Sequence, residues 1–327
     1  MEESTHISVL LDEVIDNLKC LRGGVYIDST LGDGGHAQRI LDAILPGGLL
    51  IGIDQDAEAI RRAKENLKKY EENLLTFEKN FSEIGNILKS LKIEEVDGIL
   101  FDLGLSSLQL QDAERGFSFQ RDGPLDMRMS EKIKLTAGYL LNNLSFNELV
   151  DILYKYGEER WAKRIVRAVV ESRRERPLET TFQLVQIIKR AVPRSAWPRK
   201  IHVATRTFQA LRIAVNDELI VLEKTLPQVA GFLKKGGRIC IISYHSLEDR
   251  IAKTFFREYR RQGLKAVFPK PITPTRRELQ MNPRSRSAKL RIGEMDPPHP
   301  WPWLVPGTGR PDPPPGGEEG ERVGEMC

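Results

Sequence analysis

The sequence predicts an α/β protein: a doubly wound parallel sheet interrupted by an all-helical insertion. Three observations carry this. Short apolar, β-branched runs alternate with helical patterns over the first hundred residues, the mark of βαβ units with right-handed crossovers. The first run passes into a turn holding Gly32, Gly34 and Gly35 and then into a helical pattern. That arrangement points free backbone N–H groups at a ligand. The alternation then stops near Ala113 and resumes after Arg206.

Taken in order, residues 6–22 place Val9, Leu10, Val14 and Leu18 at helical spacing ahead of Gly23-Gly24. Val25-Tyr-Ile-Asp28 reads as a buried strand, and the pattern through Ile40, Leu41 and Ile44 as the helix after the turn. Leu49–Asp54 is a second strand, 57–70 a helix with a charged face, and Leu74–Phe77 a short third strand. Asn80-Phe81 leads a helix to about Leu91, and Val96–Asp102 is the fourth strand. In such sheets ligands bind at the carboxyl ends of the strands, where Asp54, Phe81 and Asp102 fall.

Beyond Ala113 the pattern is helical. Ser145-x-x-Glu148 and Thr180-x-x-Gln183 have the form of capping boxes, with a basic helix over 158–174 between them. Pro193 and Pro198 flank a turn holding Trp197. Phe208, Leu211, Val215, Leu219, Leu222 and Leu226 then keep 3/4 spacing, which predicts one long amphipathic helix. Lys234-Lys-Gly-Gly237 is a turn before a fifth strand, Arg238–Ser243, after which Ser246 is expected to cap a helix to about Arg261. Lys265–Phe268 and Ala288–Ile292 are expected to close the sheet as an antiparallel pair, with a basic, proline-rich surface loop between them. The domain expectation is therefore 1–112 for the first part of the sheet domain, 113–205 for a helical insert, and 206–295 for the second part. Residues 296–327, rich in Pro and Gly and acidic, are expected to be a disordered tail with Trp301 and Trp303 docking locally.

The totals exclude several classes. Among 327 residues, Cys20, Cys240 and Cys327 are scattered and the five histidines are far apart, so neither a disulfide framework nor a metal site is expected. No apolar run approaches the roughly 20 residues of a membrane span, and Met1-Glu-Glu-Ser-Thr5 lacks the features of a targeting peptide. The expectation is a cytoplasmic protein. Charge is uneven: residues 1–150 carry 16 Lys/Arg against 26 Asp/Glu, 151–212 carry 15 against 6, and 250–291 carry 13 against 2. Any one basic block reads as a solvated helix face. Two blocks flanking one site favour a polyanion such as nucleic acid.

The glycine turn satisfies G-x-G-x-x-A over Gly32–Ala37, and Asp54 lies 22 residues beyond Gly32, where an acid takes a ribose diol. A nicotinamide dinucleotide and S-adenosylmethionine fit that spacing equally. Charge separates them. Asp28 ends the strand and Asp33 sits in the turn. A pyrophosphate about 4 Å from a carboxylate is opposed by roughly 4 kcal/mol at an effective dielectric of 20. The ammonium and sulfonium of S-adenosylmethionine are favoured by the same acids. Asp33 alone is also ordinary turn chemistry.

Longer motifs go further. They include His6-x-x-Val-Leu-Leu-x-Glu13, Asp28-Ser-Thr-Leu-Gly-Asp-Gly-Gly-His36 and Asp102-Leu-Gly-Leu-Ser-Ser107. Asp112–Phe119, Arg121–Met129, Tyr156–Arg160, Ala204–Gln209 and Ser243-Tyr-His-Ser-Leu-Glu-Asp-Arg250 complete the set. From about His6 to Ile292 the chain resembles the bacterial 16S ribosomal RNA cytosine-N4 methyltransferases, which use S-adenosylmethionine. The tail after Met295 lies outside that pattern. The resemblance implies a class I methyltransferase (Rossmann-like) fold, an RNA-recognising helical insert, and 16S rRNA of the small ribosomal subunit, in its decoding region, as partner. It carries cofactor contacts onto Gly34, Gly35, His36, Asp54, Phe81, Asp102 and Gln109. No metal and no membrane are expected, and a homodimer is left open.

Methylating cytosine N4 is difficult because the nitrogen lone pair is delocalised into the ring. Help comes from accepting an N–H hydrogen bond and from aligning nitrogen with the methyl group. Many amino-group methyltransferases place Asp/Asn/Ser-Pro-Pro-aromatic after the fourth strand. Here Asp102-Leu-Gly-Leu-Ser-Ser107 stands there without the prolines or the aromatic. The catalytic candidates are Asp102, Ser106, Tyr244 and His245. Each has a bland counterpart: a cofactor-holding acid, a helix cap, sheet-edge packing and a backbone-bonded histidine. The RNA candidates are Arg160, Lys163, Arg164 and Arg167 on the basic helix, with Arg128 and Arg206. Asp126 is the ion-pair alternative for Arg128. The rival readings are a dehydrogenase, methylation of another nucleobase, and a non-catalytic RNA-binding protein that kept the fold.

Overall fold

The computed structural model describes residues 8–296. His6, the tail from residue 297 onward, and the two tail tryptophans lie outside the described residues. The described residues form seven strands: β1 (Val25–Asp28), β2 (Leu49–Asp54), β3 (Leu74–Glu78), β4 (Val96–Asp102), β5 (Leu233–Ser243), β6 (Leu264–Ala266) and β7 (Lys289–Met295). They form one sheet in the order β3-β2-β1-β4-β5-β7-β6. β1 to β5 run parallel, and β7 pairs antiparallel with both β5 and β6. The order reverses between β1 and β4, which opens a crevice at the carboxyl ends of those strands.

Register sets the height of each strand-end acid. Asp28 pairs with Gly52 and with Leu100. Asp54 and Asp102 therefore each stand two residues beyond Asp28, roughly 6–7 Å further out at about 3.3 Å per residue. Asp28 lies under the turn, 1% exposed.

Side chains alternate across the sheet and feed two layers. Ile27, Ile51, Ile99 and Ile241 face α4 (Ile84–Ser90), α11 (Glu218–Ala230) and α12 (Ser246–Glu258). Tyr26, Leu50, Leu100 and Ile242 face α1 (Leu11–Leu18), α2 (Gly35–Ile44) and α3 (Ala57–Asn66). A separate apolar core, running from Phe117 to Val215, gathers Leu140, Leu149, Ile165, Leu184 and Leu211. It is built on α6 (Ala137–Asn143), α7 (Phe146–Gly157), α8 (Ala162–Glu175), α9 (Thr181–Ala191) and α10 (Thr205–Asn216). α5 (Ser107–Gln111) joins the fourth strand to this region, and α13 (Arg276–Met281) lies between β6 and β7. Both expected capping boxes form, at Ser145 with Glu148 and at Thr180 with Gln183.

Several boundaries differ from expectation. The long helix through Phe208 and Leu226 is two helices, because Asp217 adopts a left-handed conformation with φ of 51°. Apolar spacing runs on across that single residue, so periodicity does not see the break. The first helix is shorter than 6–22, bounded by left-handed Leu10 and Lys19. β5 begins at Leu233 rather than Arg238, with an irregular register against β4. His245, not Ser246, caps α12: its side chain accepts from the Glu248 N–H while Glu248 accepts from the His245 N–H. Finally, the 269–287 loop contains α13, capped by Thr275, and a 3-10 turn over Pro283–Ser287.

Candidate active site

A cavity of about 480 Å³ opens where the sheet reverses. Its floor is the glycine turn. Gly32 and Gly34 have φ of +52° and +88°, and a Cβ on Gly34 would stand 2.7 Å from the Leu67 Cδ1 atom. Only glycine reaches this conformation without strain. The turn delivers the chain to the start of α2, where Gly35 and His36 line the cavity.

Asp54 and Asp102 stand on either side of that floor. The Asp54 carboxylate is fixed by the Gly32 N–H on Oδ2 and the Asp56 N–H on Oδ1, both at 2.9 Å. Desolvation still lifts it to about 6. Asp28 rises to about 7 by burial, aided by repulsion from Asp102 and Asp54, and it does not line the cavity. The expectation that it faces a cationic ligand in the cavity is corrected accordingly, because the sheet register buries it below the lining. Ser29 Oγ and Asp33 Oδ1 line the same floor, are buried, and have no hydrogen-bond partner among the described residues. Such orphaned acceptors fit an ammonium-bearing ligand.

Phe81 borders the cavity with its ring edge-on to Phe101 at 5.5 Å. Gln109 also lines it, but its side chain is already engaged. Its amide donates to Asp56 at 2.9 Å, and its oxygen accepts from Ser106 N–H to close a capping box with the Ser106 hydroxyl. Ser106 is thus the N-cap of α5, the bland role weighed for it.

Asp102 sits in a network. Its N–H donates to Thr30 Oγ1 at 2.7 Å, and its Oδ1 accepts from the Tyr244 hydroxyl at 2.7 Å. Burial, reinforced by Asp102, holds the Tyr244 hydroxyl far above its usual pKa, so it remains a donor. His36 Nδ1 lies 3.6 Å from Asp102 Oδ2, and its Nε2 lies 3.0 Å from the Val9 carbonyl. Burial drops His36 to about 4. The ring is therefore neutral near pH 7, carries its proton on Nε2 toward Val9, and turns a lone pair toward Asp102.

Beyond Asp102 the cavity continues beneath α10 and α11. Arg212 grips Glu218 with two bonds of 2.8 Å, and its Nη2 lies 4.0 Å from buried Glu248. Glu248 accepts from the backbone N–H groups of Tyr244 (2.7 Å) and His245 (3.2 Å). Burial works against the Glu248 charge, yet His245 and Arg212 hold it below the usual carboxylate range. The sequence reading passed over Arg212, Glu218 and Glu248 as functional residues. The signal for Glu248 was present, since His245-x-x-Glu248 has capping-box spacing with an unusual cap.

The RNA candidates divide. Arg160, Lys163, Arg164 and Arg167 are exposed at the start of α8, with the Arg164 guanidinium over the Trp161 ring. Arg206 donates to the Glu158 carbonyl at 3.4 Å. Arg128 is bound to Asp126 at 2.7 Å and to the Ile133 carbonyl at 3.0 Å, the ion-pair alternative weighed for it. Among the described residues, no group of three or more acids, histidines or cysteines is placed to hold a metal, and no helix is long and apolar enough to cross a membrane.

A family model described as the MraW methylase family matches residues 3–296. The ribosomal RNA small subunit methyltransferase H of Halothermothrix orenii is 52% identical over 305 residues, covering 88% of this chain and 98% of that protein. Its namesake in Geotalea uraniireducens is 51% identical over 311 residues, covering 90% and 99%. A solved rRNA methylase from Streptococcus thermophilus aligns over 90% of this chain and 100% of its own, at 10% identity and a TM-score of 0.44.

Proposed function

The chain belongs to the MraW methylase family, and from that premise we propose that it transfers the methyl group of S-adenosylmethionine to the exocyclic N4 of a cytosine in 16S rRNA, in the decoding region of the small subunit. One observation supports this reading above the others. One cavity is lined both by the glycine turn, with its acids and orphaned acceptors, and by residues of α10 and α11, so donor and acceptor would share one site.

When bound, S-adenosylmethionine supplies an electrophilic methyl on a cationic sulfonium. Asp54 takes the ribose hydroxyls. The start of α2, with Gly35 and His36 on the cavity wall and Gly34 just ahead of them, would hold the methionine end, and Phe81 and Gln109 would border the adenine. Asp102 accepts a hydrogen bond from the acceptor amino group, drawing the nitrogen lone pair out of conjugation. The Tyr244 hydroxyl keeps the carboxylate oriented while it does so. On transfer the nitrogen would gain the methyl group as the sulfonium–methyl bond breaks to leave a neutral thioether, and Asp102 would stabilise the resulting positive charge and take up the surplus proton. Tyr244 also offers a ring face for stacking on the flipped base. His245 caps α12 and lines the same cavity.

The helical insert is the RNA-recognising part in this reading, with Arg160, Lys163, Arg164 and Arg167 on phosphates and Arg206 beside them. A cytoplasmic location and a homodimer belong to the same proposal, tested by cell fractionation and by light scattering. The decisive test is nucleoside mass spectrometry of 16S rRNA from cells with and without the gene. Loss of one N4-methylated cytidine supports the reading, and an unchanged nucleoside profile rejects it.

A further inference from the structure

Not all of the chain's positive charge lies on the insert. The segment 276–287 carries four arginines, Arg276, Arg277, Arg284 and Arg286, against one acid, Glu278. All four arginines are exposed and none makes an ion pair among the described residues. Neighbouring cations differ: Arg291 and Lys289 are neutralised by Asp249, and Arg238 by Glu294.

The segment is held by its inward-facing side. Glu278, its one acid, is turned inward and accepts from the Leu10 N–H at 2.8 Å. Ser285 is fully buried, with its hydroxyl on the Asn282 carbonyl at 2.8 Å. Ile272 and Leu290 exchange two backbone bonds of 2.9 Å across its base. Ser285 points in, and Arg284 and Arg286 on either side of it point out. The guanidinium groups thus stand on a fixed base, so less chain entropy is lost when they engage a ligand.

Asn282, Arg284 and Ser287 line the same cavity as Asp102 and Tyr244. A nucleotide whose base enters that cavity leaves its phosphates at the rim. We propose that the 276–287 segment is a second RNA contact, separate from the α8 face. In it Arg284 clamps a phosphate next to the target nucleotide, and Arg286, Arg276 and Arg277 extend the track outward. The inference rests on the RNA methyltransferase reading and adds to it the surface that seats the target nucleotide.

The test uses the full chain carrying R284E/R286E, with R276E/R277E as an independent pair and R284K/R286K as the charge-preserving control. Binding to small ribosomal subunits is titrated at several salt concentrations. Methyl transfer to the same subunits and S-adenosylmethionine binding by calorimetry are measured in parallel. The expected result is at least a tenfold loss of affinity for each glutamate pair and a log K against log salt slope shallower by about one per contact removed. Cofactor affinity is unchanged and the lysine pair retains most binding. If the wild type methylates rRNA and R284E/R286E keeps its affinity and salt slope, the rim contact is overturned and the methyltransferase reading stands. If the wild type transfers no methyl to rRNA, that reading falls and the rim proposal falls with it.

Discussion

Asp54 shows how much one side chain carries. Two backbone N–H groups hold its carboxylate, yet desolvation keeps it near 6. Ribose hydroxyls donate best to the ionised form, so binding selects that form. Affinity for S-adenosylmethionine is expected to rise with pH through about 6 and level off above 7, measured by calorimetry in buffers of different ionisation heat. Asp54→Ala is expected to weaken binding 10- to 100-fold, about the 1.5–3 kcal/mol of a hydrogen bond to a charged group. Tyr244→Phe removes the donor on Asp102 Oδ1 and nothing else of size. A fall in kcat of about tenfold with unchanged cofactor affinity is the expected split. Unaltered kcat in the phenylalanine variant would remove Tyr244 from the mechanism.

At the scale of elements, the strand–turn–helix unit β1–α2 is set by local backbone chemistry. Gly34→Ala puts a Cβ at φ +88° and 2.7 Å from Leu67, at a cost of about 1–3 kcal/mol in unfolding experiments. It should also lose cofactor affinity, because the α2 start must shift. The β5–α12 corner depends instead on a distant residue. Glu248 ties down Tyr244 and His245 and faces Arg212 on α10. Glu248→Ala leaves those partners buried without a carboxylate and is expected to destabilise by about 3–5 kcal/mol in urea denaturation. Glu248→Gln, which keeps one acceptor, should lose less.

Across the whole molecule, the insert core and the sheet core are stitched at the cavity. Asp56, the N-cap of α3, receives Gln109 and Arg115, both at 2.9 Å. Stability against pH also reads out the molecule as a whole. Asp28 and Asp54 are raised from 3.8 in the unfolded chain, so their contribution is full below about pH 4 and is lost as pH rises toward 7. His36 is lowered from 6.5, so its contribution is present above that pH and is lost as pH falls toward 4. Asp28→Asn removes the larger carboxyl effect. Its unfolding temperature is expected to fall less than that of the wild type between pH 5 and pH 8, and parallel curves would contradict the burial of an ionising Asp28.

Local chemistry in the sequence determined the parallel strands, the glycine turn, the two Ser/Thr capping boxes and the acids at strand ends. Propensity, spacing and side-chain type act within a few residues, so they are visible without the fold. Three matters were decided only in three dimensions. Sheet register sank Asp28 two residues below Asp54 and Asp102, a difference that depends on partners 24 and 72 positions away. The left-handed break at Asp217 turned one apolar stripe into two helices and brought Arg212 onto Glu218 and toward Glu248. Docking of the 269–287 segment against Leu10 and Leu290 placed Arg284 at the cavity wall where composition read only a surface loop. Each depends on which surfaces or partners meet in the folded chain, which local pattern does not encode.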